Sequence, residues 1–213
     1  MDIVGYAVVL ILIVVMLWVW SQLRKRKRSA FIDSDPFHAA VVNKLREVRP
    51  ELTPAQELMV FEALREYFHI CNTAGRQMVS MPSQVVDDAW HGFILFTRGY
   101  RHFCRHAFGR FLHHTPAEAM QSPTLAQDGI KRAWRIACTR EGIDPKTPSR
   151  LPRLFAIDAE LNIANGFRYV TDCKDSRQTD GSGGAYCGSD IGCGGGCSGD
   201  SGDSGCGGGC GGD

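Results

Sequence analysis

Apolar and polar positions along this chain recur with the period of a helix rather than of a strand, and their pattern divides it into three materials. The first is a run of eighteen residues, 3–20, with no charge and no strongly polar side chain; after three more come Arg24, Lys25, Arg26, Lys27 and Arg28. At a rise of about 1.5 Å per residue the run makes a helix of roughly 27 Å, close to the hydrocarbon thickness of a bilayer. Residues 1–28 are therefore read as a single transmembrane anchor with its basic flank. Trp18 and Trp20 fall at headgroup depth, and the basic cluster marks the cytoplasmic side of an inner membrane, because Lys and Arg beside a membrane end resist translocation. The N-terminus is then outside and the rest of the chain cytoplasmic. A cleaved signal peptide would carry its positive charge before the apolar run, and a soluble core helix of this length would show a polar stripe; the chain has neither.

The second material, after a short linker at residues 29–34, is an all-α domain over residues 35–173 with about five to six helices. Asp35 and Pro36 predict a cap and first turn for a helix reaching Val48, which Pro50 closes. Thr53, Pro54 and Gln56 spell a capping box, and Val60, Phe61, Leu64, Tyr67, Phe68 and Cys71 follow on one helical face. Ser83 opens a third helix, in which Val86, Ala89, Trp90, Phe93, Thr97, Tyr100, Cys104 and Phe108 keep helical spacing as far as Gly109, with Gly99 as a midway kink. Thr115, Pro116 and Glu118 repeat the capping-box pattern. Ser122 and Pro123 begin a longer helix that turns Ile130, Ala133, Trp134 and Ala137 inward and ends at Gly142. Past Pro152, Leu154, Phe155, Ile157, Ala159 and Leu161 give a last helix, and Asn165-Gly166 a turn. Trp90, Phe93, Phe96, Tyr100, Phe103, Phe108 and Phe111 are expected in the core.

The third material is the tail, residues 174–213. From Gly181 onward sixteen of thirty-three residues are glycine and Ile191 is the one large aliphatic side chain, so the tail cannot bury enough surface to offset its backbone entropy and is expected to be disordered. The net charge of +1 conceals a split. Basic residues stop at Arg177, and beyond it stand Asp180, Asp190, Asp200, Asp203 and Asp213. An acidic tail would be repelled by an anionic leaflet and project away from it. The chain has nine cysteines, which a cytoplasmic setting would keep as thiols or metal ligands rather than disulfides. In the tail Cys193 and Cys197 bracket three glycines, Cys206 and Cys210 do the same, and Cys187 lies upstream. Two such pairs could supply four sulfurs to one soft ion, although zinc knuckles usually use the tighter C-x-x-C spacing; free thiols on a low-complexity tail are the other reading.

Candidate chemistry gathers in one stretch. Five of the seven histidines lie between His91 and His114. Imidazole, thiolate and carboxylate donors close together suit zinc or another transition metal. The candidate ligands are His91 with Asp87 one turn earlier, Cys104, and the pair His113 and His114 beyond Gly109. On an unbroken helix His91 and Cys104 stand about 20 Å apart along the axis, so they could share an ion only if the helix breaks near Thr97 or Gly99. His114 can reach His91 if its loop folds back. His102 and His106 are one turn apart, but Arg101 and Arg105 beside them suggest an exposed face. Purely structural roles also fit: His91 as a donor to Asp87 or a carbonyl at a helix crossing, His113 and His114 as a polar plug over the bundle end, Asp87 and Asp88 as anions at a helix N-terminus.

The wording Met81-Pro82-Ser83, Val86-Asp87, Ala89-Trp90-His91, Phe93-Ile94-Leu95-Phe96-Thr97, Tyr100, Phe103-Cys104 and Phe108-Gly109-Arg110-Phe111-Leu112-His113-His114 resembles bacterial members of the glycine-rich domain-containing protein family. Leu154-Phe155-Ala156-Ile157-Asp158, Asn165-Gly166-Phe167 and the glycine-rich, cysteine-bearing end extend the likeness. It covers roughly residues 35–170 and implies an all-helical domain with no assigned biochemistry. Plant members carry a second histidine two positions after the Trp-His pair, where this chain has Phe93, so any ligand role of that histidine does not carry over.

A Walker loop, a dinucleotide glycine fingerprint, a G-x-S-x-G elbow and an H-E-x-x-H pair are all absent from the sequence, which removes the main nucleotide-dependent and hydrolase readings. No nucleic-acid partner is expected, since a basic cluster beside a spanning helix serves orientation and lipid contact. Three functions remain: a membrane-tethered interaction or scaffold module with a protein partner, a metal-binding protein, and a metal-dependent enzyme at the membrane face. The absence of a catalytic motif favours the first.

Overall fold

The computed structural model describes residues 3–114, 123–171 and 186–192. Its first element, α1 (Ile3–Ser34), is one unbroken helix of 32 residues. Residues 6–20 of it are exposed to their surroundings throughout, and α1 is long and apolar enough to cross a membrane. The last six residues, expected to be a linker, stay helical because they pack: Ile32 is fully buried and Phe31 lies against Phe103 at 5.7 Å between ring centroids.

The helices α2 (Ala39–Val48), α3 (Pro54–Ala74), α4 (Gln84–Leu95), α5 (Thr97–Ala107), α6 (Pro123–Glu141) and α7 (Arg153–Glu160) form an all-α body around α3, which touches α1, α4, α6 and α7. The capping box at Thr53 and Gln56 starts α3, and Ser83 caps α4 through the backbone N–H of Val86. Gly109 and Gly142 stop α5 and α6 in left-handed conformations, φ 68° and 67°, that a side chain would strain. Helix α2 begins three residues later than Asp35 and Pro36 suggest, where the His38 ring accepts from the N–H of Ala40. Asp35 instead keeps the backbone of α1, its N–H bonded to the carbonyl of Phe31, while Arg65 holds its carbonyl.

The long third helix expected from Ser83 to Gly109 is two. It breaks at Phe96, φ −83° and ψ 63°, and α5 sets off in a new direction. Gly99 is no kink; it sits inside the first turn of α5, and Thr97 is exposed. The break lets two short apolar stripes close on α3: Phe68 of α3 packs on Phe103 at 4.8 Å and edge-on to Trp90 at 6.3 Å. Of the aromatics expected inside, Phe111 stays out, 41 % exposed, and meets Tyr100 and His113 edge to face.

A buried carboxylate ties α7 to α4. Asp158, 1 % exposed, accepts from Ser83 Oγ at 2.7 Å, from the N–H groups of Gln84 and Val85 at 2.7 and 3.2 Å, and from the N–H of Phe167 at 2.8 Å. It therefore answers the orphan donors of the α4 N-terminus and holds the following turn at once.

Part of the segment expected to be disordered has a defined place. Tyr186–Cys187 (β2) pairs in parallel with Tyr169–Val170 (β1), the strand content among the described residues, and Gly188–Gly192 (α8) follows against α6. The reason is Trp134 of α6, fully buried, on whose ring the backbone of Gly188 rests; a Cβ there would lie 2.5 Å from the ring. Cys187, expected as a thiol, is disulfide-bonded. The capping box at Thr115 and the tail cysteines Cys193, Cys197, Cys206 and Cys210 lie outside the described residues.

Candidate metal centre

Asp87 stands in the first turn of α4 and His91 one turn later, so helical geometry alone puts both on one side of the helix. The loop after Gly109 returns and brings His114 to the same place. His91 Nδ1 lies 3.5 Å from Asp87 Oδ2, and His114 Nδ1 lies 3.8 Å from Asp87 Oδ1. The two imidazoles meet nearly at right angles, 87°, with centroids 4.3 Å apart. One ligand atom from each of the three residues falls within 4.8 Å of the other two. Ligand atoms on a tetrahedral zinc, with bonds of about 2.0–2.1 Å, stand roughly 3.3 Å apart, so small rotations of the rings would close the set.

The site is walled on one side and open on the other. The rings of Trp90 and His114 meet edge to face, 4.5 Å between centroids, and the His114 side chain is 12 % exposed against 49 % for His91. Behind the wall runs a hydrogen-bond relay. Trp90 Nε1 donates to Tyr100 Oη at 3.1 Å, and the Tyr100 hydroxyl donates to the carbonyl of Leu112 at 2.6 Å, two residues before His114. Burial holds the Tyr100 hydroxyl protonated, well above its ordinary range, so it remains a donor.

The other candidate ligands go elsewhere. Cys104 faces the core beside Tyr100, where burial raises its thiol. His113 is exposed and meets Phe111 edge to face, 4.8 Å between ring centroids. His102 and His106 stack on each other at 4.2 Å on the exposed side of α5, with Phe31 against both. Asp88 points away from the histidines, accepting from Arg49 Nε at 2.7 Å.

Two contributors escaped the sequence pattern. Asp158 sits in a recognisable segment, Leu154 to Asp158, but its bonds to α4 span more than seventy residues and have no local signature. Tyr100 has helical spacing from Trp90 only until the break at Phe96 turns the two side chains toward one another.

A match over residues 27–191 settles the kinship of this fold. The chain belongs to the UCP032817-like family. The family unit thus takes in the basic end of α1 and runs through β2 into α8, the parts of the UCP032817-like domain that lie beyond residues 35–173. No curated protein and no solved structure matches the chain.

Proposed function

We propose that this UCP032817-like protein is a membrane-anchored metal-binding domain in which Asp87, His91 and His114 hold a divalent transition ion such as zinc. The convergence of those three donors within 4.8 Å carries the proposal. Two imidazoles and a carboxylate are a donor set suited to zinc and to other borderline transition ions. Three protein ligands leave coordination positions for water or an exogenous ligand, and the half-exposed His91 turns them toward solvent. Trp90 and Tyr100 would keep the His114 loop in place, the work that supporting residues do around bound metals. The basic run at residues 24–28 supports a cytoplasmic location for the domain, at the inner membrane with the N-terminus outside, while the Cys187 disulfide is the observation that a reducing compartment does not favour. The wording around Trp90-His91 supports a tie to the glycine-rich domain-containing proteins.

Elemental analysis of the full chain, purified under reducing, metal-replete conditions, tests this. About one equivalent of metal is expected, with affinity falling at least about 100-fold in Asp87→Ala, His91→Ala and His114→Ala while far-UV circular dichroism is unchanged. Retention in a chain ending at Gly192 separates this site from Cys193, Cys197, Cys206 and Cys210. Absence of metal, or metal that follows the tail instead, overturns the proposal.

A further inference from the structure

Helix α5 carries Arg98, Arg101 and Arg105 at spacings of three and four, one stripe along its exposed side, and no acidic residue. Among the described residues none of the three reaches a carboxylate, whereas Arg46, Arg49, Arg140, Arg150 and Arg153 are each paired to one. The stripe borders an open cleft of about 460 Å³ lined by Thr97, Arg98, Arg101, His102 and Arg105. Guanidinium groups that no carboxylate engages are free to meet phosphate.

Their position relative to α1 says which phosphate. Phe31 lies against His102, Phe103 and His106, and the guanidinium of Arg28 lies over Gly109. The C-terminal end of α5 therefore points back along α1 toward its apolar stretch. Arg28 is about 8 Å beyond Leu23 along the helix and Phe31 about 12 Å. Because α1 is unbroken and anchored in the core through Ile32, the domain cannot swing away from that level.

We infer that α5, with Arg105 foremost, is a second lipid-contacting surface that continues the basic run of residues 24–28 onto the headgroups of an anionic bilayer. The inference rests on α1 crossing that bilayer. Arg105 is one turn from Gly109, about 6 Å, with Arg101 about 12 Å and Arg98 about 17 Å away, while the surface potential decays over about 8–10 Å. The contact is graded: strong at Arg105, weak at Arg101 and negligible at Arg98.

Arginine footprinting with phenylglyoxal, read by mass spectrometry on the full chain in nanodiscs, tests the gradient. Exchanging pure phosphatidylcholine for roughly 3:1 phosphatidylcholine and phosphatidylglycerol should slow labelling of Arg105 about fivefold, the effect of one basic group at an anionic surface. Arg101 should slow less, and Arg98 and the distant Arg76 not at all; high salt should erase the difference. Equal response of Arg105 and Arg76, or no response at Arg105, overturns the inference while leaving the membrane anchor intact. Equal protection by inorganic phosphate in phosphatidylcholine nanodiscs overturns it in favour of a free anion. A chain that does not enter nanodiscs overturns the anchor and the inference together.

Discussion

Asp87, His91 and His114 differ from the other polar residues of the cluster in what their neighbours allow. Asp87 and His91 are one turn apart on a helix whose opposite side is sealed by Trp90 and Phe93, so they share the side that the returning loop reaches, His91 half-exposed there. Tyr100 fixes that loop. Tyr100→Phe removes the donor to Leu112 and strands the Trp90 N–H, and metal affinity should fall about 10- to 100-fold with the fold retained, as measured by competition with a chromophoric chelator. The cysteines of the body tell the opposite story. Cys71, Cys104 and Cys138 are buried, and burial pushes Cys71 and Cys138 up to about 12 from an ordinary 9.0. Native protein should therefore leave all three unmodified by iodoacetamide at mildly alkaline pH, with alkylation appearing only on unfolding. Their linkage to stability has a fixed sign: as pH rises from 9.0 toward about 12 the unfolded chain releases thiol protons that the native chain retains, so stability to urea should fall across that window.

Helix ends in this protein were legible wherever a local side chain sets them. The box at Thr53, the cap at Ser83 and the stops at Gly109 and Gly142 need only residues within one turn. The break at Phe96 had no such signal, since no proline or left-handed glycine marks it; it follows from the packing of α4 and α5 on α3. Asp158 makes the same point from the other side of the molecule. Its carboxylate serves three donors at the start of α4 and one before β1, and Gly166 stays a glycine because a Cβ there would lie 2.7 Å from the Asp158 Cβ. Replacing Asp158 by Ala strands buried donors and should lower unfolding free energy by about 3 kcal/mol in urea titration, with Asp158→Asn milder. Because Asp87 stands in the first turn of that helix, the Ala variant should also bind metal more weakly.

Among the described residues the packed body reaches further along the chain in both directions than its composition suggests. Helix α1 runs straight into the body, where His69 bridges Ser29 at 3.2 Å and Asp33 at 2.6 Å and fixes its orientation. At the other end, residues 186–192 pack on Trp134 although glycine and cysteine dominate their neighbourhood. Gly188→Val would drive a side chain into that ring, and limited proteolysis should then cut near Tyr186 at least about tenfold faster, as expected when an overpacked contact releases a local segment. Hydrophobic period and capping residues were enough to name an all-α body, an apolar helix of membrane length and a histidine-rich stretch, because each depends on neighbours within a turn or two. Which histidines meet, where the long helix breaks and how far the ordered domain extends depended on contacts between residues remote in the chain. Those contacts are chosen by the closing of apolar surfaces on α3, a three-dimensional fit that no local pattern encodes.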